Sequence, residues 1–353
     1  MFFHLTNACL SKHNNHRKTP QSEDKNNNKM NCPICDNLSK KDGKDRKGDQ
    51  RFKCTECGKR FSLPKDKLLG SMILDTDKAL LCLNLLVEGN SVRSTERITG
   101  VHRDTILSLL ETVGKKCIWL QESLVKGVKV KFVEADEIWS YVAMKDRTKA
   151  EKEINSERVG SAYTFTAIEA ETKLIVAWHL GTRSEDSAVT FLKKIKNAVD
   201  SEAVFQFSTD AFTGYNKTVP AILGDQAHYG QVIKQYGVAN PAEVRYSAGE
   251  CIGCKKTAKV GRPVRKNIST SMVERQNLTM RMSMRRFTRL SNGFSKKWEN
   301  LNYMLAIYFA YYNFCRSHKT LNDATPAMAA NLTKTIWSLK DLLSAAKDVE
   351  APY

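Results

Sequence analysis

The 353-residue chain contains no run of about 18 uninterrupted apolar residues, which argues against a membrane-spanning helix. Residues Met1 to Leu10 carry His4 and Asn7 and lack both a basic n-region and a small-residue cleavage site, so secretion is not expected. No internal repeat is present. Acids are in deficit: 38 Asp and Glu face 56 Lys and Arg, leaving a net charge of +18. That balance excludes an acidic disordered protein and favours an anionic partner. The deficit is sharpest between Lys255 and Lys297, where thirteen bases meet a single acid, Glu274. A lone carboxylate weakens a phosphate-binding surface, so Glu274 needs a reason to be there. Chance or a local ion pair is the plain alternative.

With 41% hydrophobic and 27% charged residues the chain can bury a core, and its length suggests two or three units. Residues 1–30 are polar and read as a disordered leader. A compact basic unit follows over 31–63. Over 70–125 the apolar spacing is helical, with Gly89 and Gly100 as punctuation. From Val128 the pattern turns strand-like. Strands are expected over 133–142, 162–168, 174–180 and 204–207, with the polar stretch 145–157 as a hairpin loop. A helix is expected over 187–199, capped by Ser184 or Asp186. Further helices are expected over 269–289 and 298–314.

Cys32-Pro-Ile-Cys35 and Cys54-Thr-Glu-Cys57 are two CxxC pairs eighteen residues apart. Together they supply four thiolates for one structural, tetrahedral Zn2+. Such a unit is too small to fold without metal. Its role is either purely structural or, given its flanking bases, a DNA contact. Cys251 and Cys254 form one isolated pair and read as ordinary thiols beside a turn.

The stretch EGNSVRSTERITGVHRDTIL from Glu88 reads as helix, glycine turn, helix, with Val92, Ile98, Val101, Ile106 and Leu110 as its core. His102, Arg103 and Thr105 open the second helix, where a helix-turn-helix reads base edges. A three-helix fold without a DNA role is the alternative.

Asp136 lies in an apolar strand, Asp210 closes a second, and Glu274 sits on a helix. Carboxylates on such elements can meet at one sheet edge and supply oxygen ligands for two Mg2+ ions. Asn277 and Arg281 follow Glu274 at i+3 and i+7, on one helical face, where they could hold a phosphate. Arg281, Arg285 and Arg289 recur at i+4. Salt bridges for Glu134 and Glu137, and a cap or turn role for Asp210, are the alternatives.

The two CxxC pairs, the EGNSVR and TGVHRDTI segments, ADEIWSYV, STDAFTGY, STSMVERQNLTMRMSMRRFTRL, YYNFCRSHKTL and ATPAMAA together resemble the insertion-sequence-1 family of transposases, over about residues 31–343. The resemblance implies an α/β, ribonuclease-H-like core, a mixed sheet flanked by helices, over 128–330, with an insert at about 226–269 and a C-terminal helix or tail over 331–353. It implies a catalytic DDE triad of Asp136, Asp210 and Glu274 that binds two Mg2+, with Mn2+ as a substitute. It also implies double-stranded DNA as partner, both terminal inverted repeats and target; His102, Arg103, Thr105, Asn277, Arg281, Arg285 and Arg289, read above from their helical positions, are the expected contacts. A homodimer or higher oligomer on DNA and a prokaryotic, nucleoid-associated cytoplasmic location follow from the same likeness. Ala211 departs from the family, which usually has Gly after the second Asp. Two other classes compete: a non-catalytic zinc-finger DNA-binding regulator or inactive element copy, and a metal-dependent nuclease without strand transfer.

Overall fold

A computed structural model describes residues 30–46, 48–62, 68–70, 72–237, 251–288 and 291–345. Most of the expected leader, as well as Arg289, lies outside them. The described residues fall into two compact units, one ending at Asp66 and the other beginning at Lys67.

The first unit is an antiparallel sheet of four short strands in chain order: β1 (Met30–Asn31), β2 (Leu38–Lys44), β3 (Gln50–Cys54) and β4 (Arg60–Ser62). Its apolar content is slight. Phe52 is buried and stacks on Phe61 at 5.9 Å, and the remaining buried side chains are mainly the cysteines.

The second unit opens with three helices, α1 (Thr76–Val87), α2 (Val92–Thr99) and α3 (Arg103–Leu124). Gly100 ends α2 in the left-handed region, at φ 69°, which a β-carbon disfavours. Glu96 of α2 then accepts from the backbone N–H of Arg103 at 2.8 Å, which fixes the start of α3. Val101, Ile106 and Leu110 are buried as expected, but Ile98 is 57% exposed and contributes nothing to the core.

The sheet follows: β5 (Phe132–Val142), α4 (Asp146–Glu151), β6 (Gly160–Glu169), β7 (Ile175–Gly181), α5 (Glu185–Ala198), β8 (Phe205–Thr209), α6 (Tyr215–Leu223), β9 (Ala227–Tyr236) and β10 (Cys251–Val260). Helix α4 occupies the expected hairpin loop. Its Asp146 accepts from the Ser161 backbone N–H and hydroxyl, pinning the connection to β6. Ser184 caps α5, accepting from the Ser187 N–H at 3.3 Å. Strand order is β10-β9-β8-β5-β6-β7. The β5–β8 and β8–β9 pairs are parallel and the others antiparallel, so the sheet is mixed.

The expected insert at 226–269 therefore holds two of the six strands. Strand β9 was hidden because His228, Gln231, Lys234 and Gln235 dilute its apolar residues. Strand β10 sits at the sheet edge and is polar on both faces, so it has no alternation to read. Cys251 and Cys254 lie on that strand and are exposed, and the residues just before Cys251 lie outside the described ones.

Beyond the sheet come α7 (Ser271–Ser283), α8 (Trp298–Phe314), α9 (Pro326–Ala329) and α10 (Leu339–Ala345). Helices α5 and α6 cover one face of the sheet through Phe191, Ile195, Tyr215 and Val219. Helices α1, α3, α7, α8 and α10 share a core with Ile138, Ile175 and Trp178 on the other. Residues 70–125 are thus built into the same unit as the sheet. Helix α8 is apolar all round because it runs through this core. Gly114 of α3 meets it so closely that a β-carbon there would overlap Tyr303. Asn313 of α8 is fully buried and exchanges two hydrogen bonds of 2.9 Å with the backbone of Ile175, binding α8 to the edge strand β7. No helix among the described residues is long and apolar enough to cross a membrane.

Candidate metal centres

In the first unit each CxxC pair sits at a turn, β1–β2 or β3–β4. The four sulfurs of Cys32, Cys35, Cys54 and Cys57 lie within 4.8 Å of one another. Two of the separations are 3.6 Å (Cys32–Cys57) and 3.5 Å (Cys35–Cys54). Sulfurs tetrahedrally disposed at about 2.3 Å from Zn2+ stand roughly 3.8 Å apart, so the donor set fits that ion. The backbone favours thiolates here. The N–H groups of Cys57 and Glu56 point at Cys54 Sγ, both at 3.4 Å, and hold that thiol down at about 6. The Ile34 N–H lowers Cys32 in the same way.

The second centre arises where β8 stops. Parallel pairing of β5 with β8 ends at Ala135↔Thr209, so Asp136 and Asp210 come next on adjacent strands. Past that point β5 has no β8 neighbour, and side chains from both of its faces can turn into the gap. Asp136 Oδ1 accepts from the Glu137 backbone N–H at 2.8 Å. One carboxylate oxygen each of Asp136, Glu137 and Asp210 lie within 4.8 Å of one another. Sites of this kind lie at the carboxyl ends of parallel strands in α/β sheets.

Glu137 is the member that spacing did not single out. Its side chain is 2% exposed. One oxygen accepts from the Tyr215 hydroxyl at 2.5 Å, and the other is buried without a hydrogen-bond partner. Arg183 lies 3.6 Å from both Glu137 and Asp210 and rests over the Phe212 ring at 4.8 Å. Glu274 stands beside this group. Its carboxylate takes Lys234 Nζ at 2.6 Å and the Thr270 hydroxyl at 2.5 Å, and its charge raises Asp136. Four carboxylates thus face two cations. A buried carboxylate oxygen that has no hydrogen bond and only a distant arginine, within a close acidic group, is a donor set suited to Mg2+, with Asp136, Glu137 and Asp210 as the residues that would hold it and Glu274 alongside.

Compared with protein-family models and with curated proteins, the chain matches none.

Of the residues expected to touch DNA, Asn277 is 4% exposed and donates to Asp136 Oδ2 at 2.8 Å, so it orients a carboxylate. The helix expected to reach 289 stops at Ser283. Met284 is extended and residues Arg285–Phe287 form a 3-10 turn, so Arg281 and Arg285 do not share a helical face. Met280, Met284 and Phe287 are all buried at helical spacing across this break, so the apolar pattern alone reads as one continuous helix. His102 and Arg103 are exposed and Thr105 is half-buried at the start of α3.

Glu134 forms no ion pair among the described residues. It is 5% exposed and accepts from the backbone N–H groups of Met272 at 2.7 Å and Val273 at 3.2 Å. These are orphan donors of the first turn of α7, so Glu134 caps the helix that carries Glu274 and Asn277. Glu134→Ala is expected to cost about 1–3 kcal/mol of stability and to loosen α7 on β5. Glu134→Gln, which keeps an acceptor, should recover most of it. Thermal melting of the two variants checks this, and equal midpoints would show that the cap is dispensable.

Burial, and next the charge of Asp210, pushes Asp136 up to about 6 and Glu137 up to about 8 from ordinary values of 3.8 and 4.5. This pair therefore binds more protons in the folded state than in the unfolded chain between about pH 4 and 8. Stability from this pair is full below the unfolded values and is lost as pH rises through the folded ones. With chelator present, the melting midpoint should drop by roughly 5 °C or more from pH 5 to pH 8.5, using ~2–4 °C per kcal/mol for a chain of this size. Mg2+ should restore it at pH 8.5 and change little at pH 5. A midpoint independent of both pH and Mg2+ would contradict the carboxylate geometry.

Proposed function

We propose that the protein is a DNA transposase of an insertion sequence, with a ribonuclease-H-like DDE core that cuts DNA at the element ends and joins them to a target. The observation that carries this reading is the meeting of Asp136, Glu137 and Asp210 at the end of a parallel strand pair, with Glu274 delivered beside them on a helix capped by β5. The mixed sheet flanked by helices agrees with the fold that the resemblance implies. Bound Mg2+ would activate a nucleophile and stabilise a leaving oxygen of the phosphodiester. Asn277 holds the Asp136 carboxylate in place, and Arg183 and Lys234 balance part of the acidic charge. No Ser or Tyr nucleophile is needed, because the attacking groups are water and then a DNA 3′-hydroxyl. Helices α2 and α3, joined through Gly100, act as the helix-turn-helix, with His102, Arg103 and Thr105 at the base edges, and the four-cysteine unit adds a second DNA contact. The protein works as a homodimer or higher oligomer on paired element ends.

Inverted repeats in the DNA flanking the gene supply the substrate for the test. Purified protein with Mg2+ is expected to release a labelled terminal-repeat end, and with chelator to bind that DNA without cutting it. Specific binding with no cleavage under Mg2+ or Mn2+ would favour the non-catalytic regulator.

A further inference from the structure

A cavity of about 450 Å3 lies between the α2–α3 corner and the segment joining α7 to α8. Five cationic side chains line it: Arg93, Arg103, Arg285, Arg286 and Lys296. No acid lines it, and none of the five has an ion pair among the described residues. Ser91, which caps α2, and Val92 and Arg93 of its first turn also face it, so one positive helix end adds to the charge. Two of the cations are held in place. Arg286 Nε donates to Ser295 Oγ at 2.9 Å, and Lys296 Nζ sits 3.1 Å over the Phe294 ring.

Like charges gathered in one concave site repel unless an anion joins them. The chemistry on the wall selects which anion. Forked guanidinium groups match phosphate oxygens, and Ser91, Asn292 and Asn300 add neutral polar groups. The one aromatic face, Phe294, is already covered by Lys296, so a free base has no stacking platform. We infer that this cavity grips backbone phosphates of a nucleic acid, so that the α2–α3 corner and residues 285–286 and 292–296 hold one strand together. The inference rests on the DNA-acting reading above and changes the expected role of Arg103, from a base edge to a phosphate. Slight desolvation, and next the nearby Arg93, lowers the exposed Lys296, as a cation crowded by another should be.

The test uses the full chain and random-sequence duplex DNA, with binding measured by fluorescence anisotropy between 50 and 250 mM KCl. Arg93 and Lys296 are exposed, so Arg93→Gln with Lys296→Gln leaves the fold intact. Lys193→Gln with Lys196→Gln, on α5, removes the same charge elsewhere. The cavity variant is expected to lower the slope of log K against log salt by about 1.8, roughly 0.9 per lost phosphate contact, and the α5 variant by less than half of that. Equal slopes in the two variants, or no change in either, would overturn the inference and leave the DNA reading standing. Wild-type protein that binds no DNA would remove the reading and the inference with it. Inorganic pyrophosphate that raises the melting midpoint of wild type but not of the cavity variant, and that DNA fails to displace, would mark a small-phosphate site and overturn the nucleic-acid assignment.

Discussion

Asp136→Asn is expected to abolish Mg2+-dependent release of a terminal-repeat end, well beyond the roughly 10–100-fold loss that a defect in an outer-sphere group costs. Asp210→Asn should do the same, because both aspartates stand at the gap that β8 leaves beside β5. Folding should survive, and each variant should melt no lower than wild type in chelator, since removing one member of a crowded carboxylate group relieves repulsion. The comparison of Glu137→Gln with Glu274→Gln carries the most information. Glu137 lies inside the close group, whereas Glu274 is occupied by Lys234 and Thr270. If Lys234 releases Glu274 when a cation enters, both variants lose cleavage. If Glu137 is the working third ligand, Glu137→Gln is inactive and Glu274→Gln retains measurable activity. Asn277→Ala should fall in the 10–100-fold range, as a residue that only orients Asp136.

The second large effect concerns the first unit. Purified protein should carry about one Zn2+ per chain by elemental analysis, and Cys54→Ser should lose it. Binding of a structural Zn2+ is worth roughly 10–16 kcal/mol in small domains, and this unit has little core besides Phe52 and the cysteines. Residues 31–62 should therefore become sensitive to protease, while residues 67–353, with their own core, keep their melting transition. Zinc-free protein whose first unit stays protease-resistant would contradict this.

Much of this is legible in the sequence, for definite reasons. Four cysteines in two CxxC pairs have few uses in a small basic unit, and their sulfurs do converge. Strand β7 and helix α8 were legible from nearly unbroken apolar runs, and β5 and β6 from apolar residues recurring between polar ones. Strand β10, an edge strand polar on both faces, was not, and β9 was masked by its polar residues. The carboxylates show a subtler limit. Asp136 stood out by sitting in an apolar strand, but Glu134 and Glu137 sit in the same strand with equal claim. Only the register with β8 separates them: Glu134 pairs beside Ser208 and turns to cap α7, while Glu137 lies beyond the end of β8 and joins the acidic group. Likewise an i+4 arginine repeat reads as one helical face until Met284 becomes extended and ends it. Helix periodicity cannot report where a helix stops when neither Gly nor Pro marks the place.

The most direct measurement of the central claim is strand transfer. A pre-cut terminal-repeat end with a free 3′-hydroxyl is incubated with a supercoiled target plasmid, wild-type protein and Mg2+. Covalently joined product is expected with Mg2+ or Mn2+, none with chelator, and none with Asp136→Asn. Joining by Asp136→Asn at the wild-type rate, or a wild-type protein that binds the end and joins nothing with either metal, would contradict that claim.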